Sequence, residues 1–401
     1  MKDIKHNVLR RHEGLLPYGE PCSIEWSSGN LLYHTTACSL GIPNRVWRSN
    51  PSSTNWGYEK PILIYEEFDP RYFVSLQRTK DWSHVLVNAH SKSSSEVHAV
   101  HEGGRRVQCI RKRAPNVEYC VEHSNGIYFI LSNIRNGTEY DLFACPKKDT
   151  SASQWICIQS SGVEEILEDF TVNNLGCTLL KRSSGIPYVE FLAFGRSVDT
   201  SYKELANIVT QTYRMPMPTW RVMSIQFGPN EDYFDSLVEF DLSSPITPSI
   251  SATWDLKSKK LILGKDCGSL EWSRVKPGSD QFKIDTISCP VDASTAIPIT
   301  LVSKSIKNSR IHPCLILSYG AYGEMLDLQY QSWFMPLLER DWNIAFVHIR
   351  GGGELGKRWH NEGSGIHKLN SSADLKLAID YLIRKGMLYT YYLQFDLYWK
   401  K

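Results

Sequence analysis

The segment IRGGGELGKRWH, residues 349–360, combines three consecutive glycines with side chains that could exchange protons. A glycine-rich turn can cradle a phosphate, and an imidazole beside a carboxylate, such as His360 and Glu362, can perform general acid–base catalysis. The spacing matches neither G-x-G-x-x-G followed directly by a helix nor G-x-x-x-x-G-K-[ST], which argues against nucleotide binding. Because no nucleophile adjoins the pair, we expect a structural role for Glu354, His360 and Glu362.

The ten cysteines and the histidines show no metal-ligand spacing. No two cysteines form a C-x-x-C pair, so the sequence predicts neither a zinc site nor a redox motif. His98 and His101, three residues apart on a strand-rich stretch, point to opposite faces of a strand. We therefore expect no metal and no cofactor.

Charge and hydropathy argue against several classes of partner. The 45 basic and 43 acidic residues give a net charge of +2 without a strongly charged half, so neither nucleic acid nor a membrane surface is indicated. The first residues lack an apolar signal sequence, and no run of about 18 apolar residues occurs, which predicts a cytoplasmic protein without a membrane span. One basic cluster is a candidate protein-binding surface, although a solvated turn and strand face is the simpler interpretation. Its members are Arg105, Arg106, Arg111, Lys112 and Arg113.

Short apolar runs separated by polar turns fill the chain from about Leu31 to Leu263, a pattern typical of β-strands. The segment Ser124-Asn125-Gly126 predicts a tight hairpin, because Asn and Gly tolerate positive φ. Helical periodicity is nearly absent, apart from Thr200 to Gln211, which fits one short helix or a connecting segment. Sandwiches, a barrel and a propeller remain open, and groups of strands recurring about every 40–50 residues favour the propeller.

Near residue 284 the pattern changes to alternating strands and helices. Continuous apolar runs at 315–319 and 343–349 are expected of strands covered on both faces, with a helix around Pro336 between them. A further helix with one apolar stripe ends at Gly386. This order opens a doubly wound α/β sheet, and it puts the glycine loop at the carboxyl end of a buried strand, where such sheets place their sites.

Several phrases of this region together resemble the prolyl oligopeptidase family of serine peptidases, and within it the prolyl endopeptidase-like branch. They are SYGAYG at 318–323, HIRGGGELG at 348–356, WHNEG at 359–363, KLN at 368–370 and Asp374 in the following helix. Upstream, residues 65–82 and 91–100 resemble the propeller of that family.

The resemblance implies a seven-bladed β-propeller over an α/β-hydrolase domain, with a serine, histidine and aspartate triad in the cavity between them. For this chain we expect an incomplete β-propeller, residues 1–280, followed by the N-terminal part of an α/β-hydrolase domain, residues 281–401. Tyr319 matches the tyrosine that donates its hydroxyl to the oxyanion in the family. Without the resemblance, a packing aromatic at a strand end would be the simpler interpretation of Tyr319.

The sequence departs from the family at the nucleophile. Relatives continue beyond the helix into a strand and a G-x-S-x-G elbow, but no G-x-S-x-G occurs in these 401 residues. The triad aspartate and histidine, which follow the serine in relatives, are missing with it. The serines of SSG at 160–162 and 183–185, and Ser364, are expected in turns. Because the chain also starts inside the propeller, we expect a fragment that is inactive by itself.

Two functions follow as hypotheses. The first is an incomplete serine hydrolase of endopeptidase lineage, whose reaction is hydrolysis of short peptides or of related esters and amides. The alternative is a non-catalytic binding or regulatory module, in which the propeller recruits a protein partner.

Overall fold

The computed structural model describes nine segments of the chain, and two short strands near its start pair with each other. The segments are residues 21–50, 60–100, 103–135, 137–150, 155–162, 165–195, 205–264, 281–305 and 312–388. The short strands are β1 (Lys2–Asp3) and β2 (Val8–Leu9).

Within the described residues, the first domain consists of five four-stranded antiparallel sheets that follow one another along the chain. Sheet one contains β3 (Pro21–Trp26), β4 (Leu32–Ala37), β5 (Pro43–Ser49) and β6 (Ile62–Glu66). Sheet two contains β7 (Phe73–Arg78), β8 (Val85–His90), β9 (Ser95–Val100) and β10 (Val107–Arg111). Sheet three contains β11 (Tyr119–Ser124), β12 (Ile127–Ser132), β13 (Asp141–Pro146) and β14 (Ile156–Gln159).

Sheets four and five repeat the arrangement, with the first and fourth strands at the two edges. Sheet four contains β15 (Glu165–Asn173), β16 (Gly176–Ser183), β17 (Ile186–Phe194) and β18 (Val209–Arg214). Sheet five contains β19 (Ser224–Phe227), β20 (Leu237–Ser244), β21 (Thr247–Asp255) and β22 (Lys260–Leu263). This is the blade pattern that the sequence predicts for a propeller.

Each pair of consecutive sheets shares an apolar core, so the inner strands of sheets two, three and four are covered on both faces. All six residues of β12 are buried, for example. Facing residues in the four cores include Val46 and Val87, Leu86 and Ile130, Phe129 and Leu179, and Val189 and Phe240. Continuous burial explains why these strands appear in the sequence as apolar runs rather than strict alternation.

Two details of the propeller test the sequence analysis directly. Asn125 and Gly126 form the two-residue turn of the β11–β12 hairpin with φ of 51° and 79°, which confirms the predicted tight turn. Between Thr200 and Gln211, residues 200–204 lie outside the described part. Leu205 is helical, a turn follows it, and β18 begins at Val209, so a helix that extends to Gln211 is wrong.

The second domain is a four-stranded mixed sheet in the order β23-β24-β26-β25. Its strands are β23 (Phe282–Pro290), β24 (Ala296–Lys304), β25 (Cys314–Leu317) and β26 (Asn343–Val347), and β25 and β26 are parallel. Its helices are α1 (Met335–Glu339), α2 (Gly356–Asn361) and α3 (Leu369–Arg384), and single 3-10 turns lie at Ser332–Phe334 and Gly365–His367.

Helices cover both faces of this sheet. On one face Leu338 of α1 packs with Ile344 and Phe346. On the other, Ala378 and Leu382 of α3 pack on alternate residues of the same strands. Pro336 lies in the first turn of α1, where its missing N–H removes no helical hydrogen bond. The opening of a doubly wound α/β sheet is thus observed as the sequence predicts.

The two domains are joined by polar contacts as well as by the chain. The Arg221 guanidinium donates to the carbonyl oxygen of Ile284 (2.9 Å) and to the Thr286 hydroxyl (2.5 Å). The Lys357 ammonium donates to Glu118 of the propeller at 2.5 Å, and the backbone N–H groups of Lys357 and Arg358 point at Glu139. These links fix the position of the α/β sheet on the propeller.

In the part of the chain that the structure describes, every helix is too short or too polar to cross a membrane.

Candidate active-site cleft

Two loops leave the carboxyl ends of the parallel strands β25 and β26 and pack against each other. The first is the YGAYG segment, residues 319–323, and the second is the glycine loop, residues 351–353. The Gly323 N–H donates to the carbonyl oxygen of Gly351 at 3.0 Å. A Cβ on Gly351 would lie 2.2 Å from the carbonyl oxygen of Gly320. Only glycine therefore permits the two backbones to approach so closely.

Helix α3 anchors the glycine loop through its first turns. The carboxylate of Asp374, which is buried, accepts hydrogen bonds from Nε (2.8 Å), Nη2 (2.5 Å) and the backbone N–H (3.0 Å) of Arg350. The Ser371 hydroxyl donates to the carbonyl oxygen of Arg350 at 2.6 Å. A bidentate charge-assisted pair of this kind fixes geometry more firmly than a single bond. The loop conformation is thus set by a helix that follows it in the chain.

The three proton-exchanging residues of the loop region are all engaged by neighbouring groups. Oε1 of the buried Glu354 accepts from the N–H of Leu326 (2.9 Å) and lies 3.3 Å from Nδ1 of His348. His360 contacts the carbonyl oxygen of Gly351 through Nδ1 at 2.8 Å. Glu362 pairs with Arg358 one helical turn earlier, at the surface. These contacts favour the structural role expected for Glu354, His360 and Glu362.

Tyr319 is the second residue after the apolar strand β25, following Ser318, and is half-buried. The next residue, Gly320, has φ of 61°, and a Cβ there would lie 2.4 Å from the Ile349 side chain. Nζ of Lys368 donates to the Gly320 carbonyl at 2.5 Å, which fixes the peptide between Gly320 and Ala321. The backbone around Tyr319 is therefore held at a defined position on the carboxyl edge of the sheet.

Tyr322 in the same segment is a residue that sequence reasoning missed. Its φ of 58° is uncommon for a bulky side chain, and 77% of its surface is exposed. Strained backbone of this kind is concentrated at binding and catalytic sites. The sequence carries no direct signal for a positive φ at a tyrosine, although the flanking glycines mark the segment as a turn.

A cavity of about 350 Å³ lies between the propeller and the α/β sheet. Sheet four contributes Glu168 and Arg182 to its wall, and the α/β domain contributes Thr300, His348 and Glu354. The Arg182 guanidinium is paired with Glu168, and the Thr300 hydroxyl lies 2.9 Å from Nε2 of His348. The volume is within the range of small-molecule sites. Tyr319 is not one of the described residues that line this cavity, although both lie at the carboxyl edge of the sheet.

A serine and an aspartate of the β7–β8 loop in sheet two also meet a histidine on β11 of sheet three, but in the wrong arrangement for a triad. The Ser83 hydroxyl lies 2.8 Å and the Asp81 carboxylate 2.6 Å from the same nitrogen, Nδ1 of His123. A catalytic histidine contacts its serine through one nitrogen and its aspartate through the other. Burial raises the pKa of Asp81, but hydrogen bonds from His123 and Ser83 outweigh it and hold that pKa below its usual value. The cluster stabilises the loop and offers no activated nucleophile.

The serines singled out from the sequence make turns or backbone contacts. Ser184 and Gly185 form the turn between β16 and β17, both with positive φ. Ser161 donates its hydroxyl to the carbonyl oxygen of Tyr140, and Ser364 donates to that of Asn361.

The five residues of the basic cluster do not all project from the propeller as one positively charged surface. The Arg113 guanidinium pairs with Glu67 and Glu96 and lies 3.8 Å from the centre of the Tyr72 ring. The Arg111 guanidinium lies over Trp155 at 5.3 Å. Because two of the five cations are engaged within the chain, the solvated-face interpretation is favoured.

A propeller of antiparallel blades is joined to an α/β sheet, with a cavity between them and glycine-rich loops at the carboxyl ends of the parallel strands. This arrangement defines the class of propeller-bearing α/β hydrolases. Residues 21–266 match the model of the prolyl oligopeptidase N-terminal β-propeller domain, and residues 329–391 match that of the prolyl oligopeptidase family. The chain belongs to the prolyl oligopeptidase family.

Relatives and solved structures agree with this assignment. The prolyl endopeptidase-like protein of Xenopus laevis is 28% identical over 92% of this chain and 49% of its own length. Protease 2 of Moraxella lacunata is 23% identical over 90% of this chain and 49% of its own. Oligopeptidase B from Trypanosoma brucei superposes with a TM-score of 0.77 at 20% identity, over 93% of this chain and 52% of that one, which supports the fold. The chain spans about half the length of the curated relatives it matches.

Proposed function

We propose that this chain carries the propeller and the oxyanion side of a serine hydrolase that acts on short peptides or on related esters and amides. The observation that carries the proposal is the YGAYG segment at the carboxyl end of β25, held by Gly351, Gly353 and Lys368. Tyr319 is proposed to donate its hydroxyl to the oxyanion of the substrate carbonyl. Tyr322, strained and exposed, is proposed to contact the substrate.

We further propose that the 401-residue chain does not turn over substrate by itself. Acyl transfer by this class needs a serine activated by a histidine. The sequence contains no G-x-S-x-G, and the Ser83, His123 and Asp81 cluster has both partners on one nitrogen. The chain is accordingly an inactive fragment of a serine-type endopeptidase scaffold.

A fluorophosphonate probe tests the second proposal, because covalent labelling requires an activated serine. The purified chain is expected to show no labelling and no hydrolysis of a chromogenic peptide ester, beside an active prolyl oligopeptidase-family enzyme as positive control. Labelling that disappears when one serine is changed to alanine would overturn it.

Peptide binding tests the first proposal without catalysis. A fluorescent short peptide is expected to bind the chain with a polarisation change that competes with unlabelled peptide. Tyr322→Ala should weaken this binding several-fold, whereas Phe68→Ala, an exposed aromatic on the propeller, should not. Equal binding by both variants and the parent would refute the placement of the substrate at the YGAYG segment.

The alternative is a non-catalytic module whose propeller recruits a protein partner. The observation behind it is that two large apolar side chains on the propeller are exposed, Phe68 (84% exposed) and Phe234 (75%). Loss of partner capture in Phe68→Ala or Phe234→Ala, with peptide binding absent, would support this function over the first. For either function we propose a cytoplasmic location, since all nine described cysteines are free thiols.

A further inference from the structure

Three side chains with the chemistry of metal ligands converge on the outer half of sheet two. Glu96 and His98 lie two residues apart on β9, and Cys109 on β10 is directly opposite His98. Residues two apart on a strand share a face, and opposed residues of antiparallel strands share it as well. As a result, the ligating atoms of the three side chains all lie within 4.8 Å of one another.

Neighbouring residues hold two of these ligands in place. Nε2 of His98 lies 2.9 Å from Oε1 of Glu96, and the two side chains are largely buried. The backbone N–H of Arg113 donates to Oε2 of Glu96 at 2.9 Å, which leaves Oε1 directed at the histidine. The Tyr65 ring packs on the imidazole with 4.8 Å between ring centres. Contacts of this type around a ligand are what orient it for a metal.

The charges around the cluster suit a divalent cation. The Arg113 guanidinium lies 3.4 Å from Oε1 of Glu96, but it also pairs with Glu67 at 2.5 Å. Two carboxylates therefore share one guanidinium, which leaves one net negative charge. Deprotonation of Cys109 on binding would add a second. These two negative charges attract an ion of charge +2, and the nearby Lys112 ammonium favours the thiolate form of Cys109 that such an ion needs.

We propose that Glu96, His98 and Cys109 form a zinc site that ties the outermost strand of sheet two, β10, to β9. Mixed sulfur, nitrogen and oxygen ligands favour Zn²⁺ over Mg²⁺ or Ca²⁺, which prefer oxygen alone. Zinc bonds of about 2.0–2.3 Å put tetrahedral ligands roughly 3.3–3.6 Å apart. The Nε2–Oε1 separation of 2.9 Å must therefore open by a few tenths of an ångström, on the order of 0.5 Å, to admit the ion. The Cys109 sulfur lies within 4.8 Å of both atoms and approaches the ion by rotation about its Cα–Cβ bond.

Zinc binding exchanges protons for metal bonds at the three ligands. The ion forms one bond each to Sγ, Nε2 and a carboxylate oxygen, with water in the fourth position. The Cys109 thiol proton passes to solvent. Nε2 of His98, which faces the Glu96 carboxylate, gives up its proton to solvent, and Nδ1 takes one from solvent, so the imidazole stays neutral and one proton is released in total. No oxidation state changes.

Cobalt(II) is the probe for the test, because a thiolate ligand gives a near-ultraviolet charge-transfer band that zinc lacks. The tag-free 401-residue chain, stripped by a chelator, is expected to develop this band with one equivalent of Co²⁺ and to lose it when Zn²⁺ is added. Zn²⁺ should also raise the melting temperature of the stripped chain.

Variants separate this site from adventitious binding. Cys109→Ser should abolish the band, and Glu96→Gln should weaken Co²⁺ binding at least tenfold. Cys38→Ser, which removes another partly exposed thiol, should leave both unchanged. Circular dichroism of each stripped variant shows whether it is folded, and Glu96→Gln decides the matter if Cys109→Ser does not fold. No band in the parent chain, or a band that survives in both Cys109→Ser and Glu96→Gln, would overturn the proposal.

Discussion

Removal of the Asp374 carboxylate is expected to be among the most destabilising single changes in the α/β domain. Asp374 is 1% exposed and accepts three hydrogen bonds from Arg350, whose side chain is 14% exposed. Asp374→Ala would leave a largely buried guanidinium and a backbone N–H without their acceptor. Removing one partner of a buried ion pair costs about 3–5 kcal/mol of unfolding free energy. Because Arg350 remains partly exposed, we expect a loss of about 3 kcal/mol.

Equilibrium unfolding in urea measures this change as a shift in midpoint at constant slope. The matched control is Asp380→Ala, an exposed carboxylate on the same helix, which should alter stability by at most about 0.5 kcal/mol. Adding Arg350→Met to Asp374→Ala should recover part of the loss, because no unpaired charge then remains buried. If Asp374→Ala cost no more than Asp380→Ala, the pair would not be what holds the glycine loop.

Three further changes test other parts of the structure. Gly320→Ala combines a positive φ with a clash against Ile349 and should cost about 2–4 kcal/mol in thermal or urea unfolding. Burial raises the pKa of Glu122 to about 7, although N–H donors from Lys80 and Gln77 partly offset it. Since the pKa of Glu122 is higher in the folded than in the unfolded state, its protonated form stabilises the fold. That stabilisation is fully present below about pH 4.3 and is lost as pH rises through 7. Glu122→Gln should therefore gain stability on the order of 3 kcal/mol relative to the parent between pH 4 and pH 8. Lys357→Met, which removes the 2.5 Å contact with Glu118, should cost about 1 kcal/mol and increase proteolysis between the domains.

Each of these has its own control and contrary result. Gly365 also has positive φ, but a Cβ there meets nothing within 4 Å, so Gly365→Ala should lose only about 1 kcal/mol. Equal losses of stability in the two variants would mean that the Ile349 side chain moves aside without an energetic cost. A pH profile for Glu122→Gln that parallels the parent would show that Glu122 does not titrate in this window. For Lys357→Met the control is Lys376→Met on the exposed face of α3, and equal proteolysis of the two variants would contradict an interdomain role.

Structural elements that are specified by a short, contiguous sequence pattern could be predicted from the sequence. The Asn125-Gly126 turn needs only residues that accept positive φ, and α3 needs only an apolar stripe, of which Ala378 and Leu382 are fully buried. By contrast, β18 was missed because it is an edge strand with a mostly exposed, polar surface. Its strand conformation depends on pairing with β17, which no local pattern reports.

Contacts between distant segments were the main omission. The three ligand candidates of sheet two come from two strands, so the spacing of His98 and His101, of which His101 lies outside the described residues, gave no hint of the approach of Cys109. The contact of Glu139 with the N-terminus of α2 joins residues more than two hundred positions apart. The sequence places the glycine loop at the carboxyl end of a buried strand, but it does not predict that the adjoining helix contacts the propeller.

The glycine loop is best understood as a mechanical link between three parts of the molecule. Helix α3 holds it at one end through Asp374, and helix α2 carries it to Glu118 and Glu139 of the propeller at the other. Between these anchors, its backbone packs directly on the segment that contains Tyr319. Interiors packed this closely transmit displacement rather than absorb it. A change in how the propeller sits on the α/β sheet is therefore expected to move the Tyr319 backbone. Such a movement would connect the propeller to the site that we propose for the oxyanion, without any propeller residue contacting substrate.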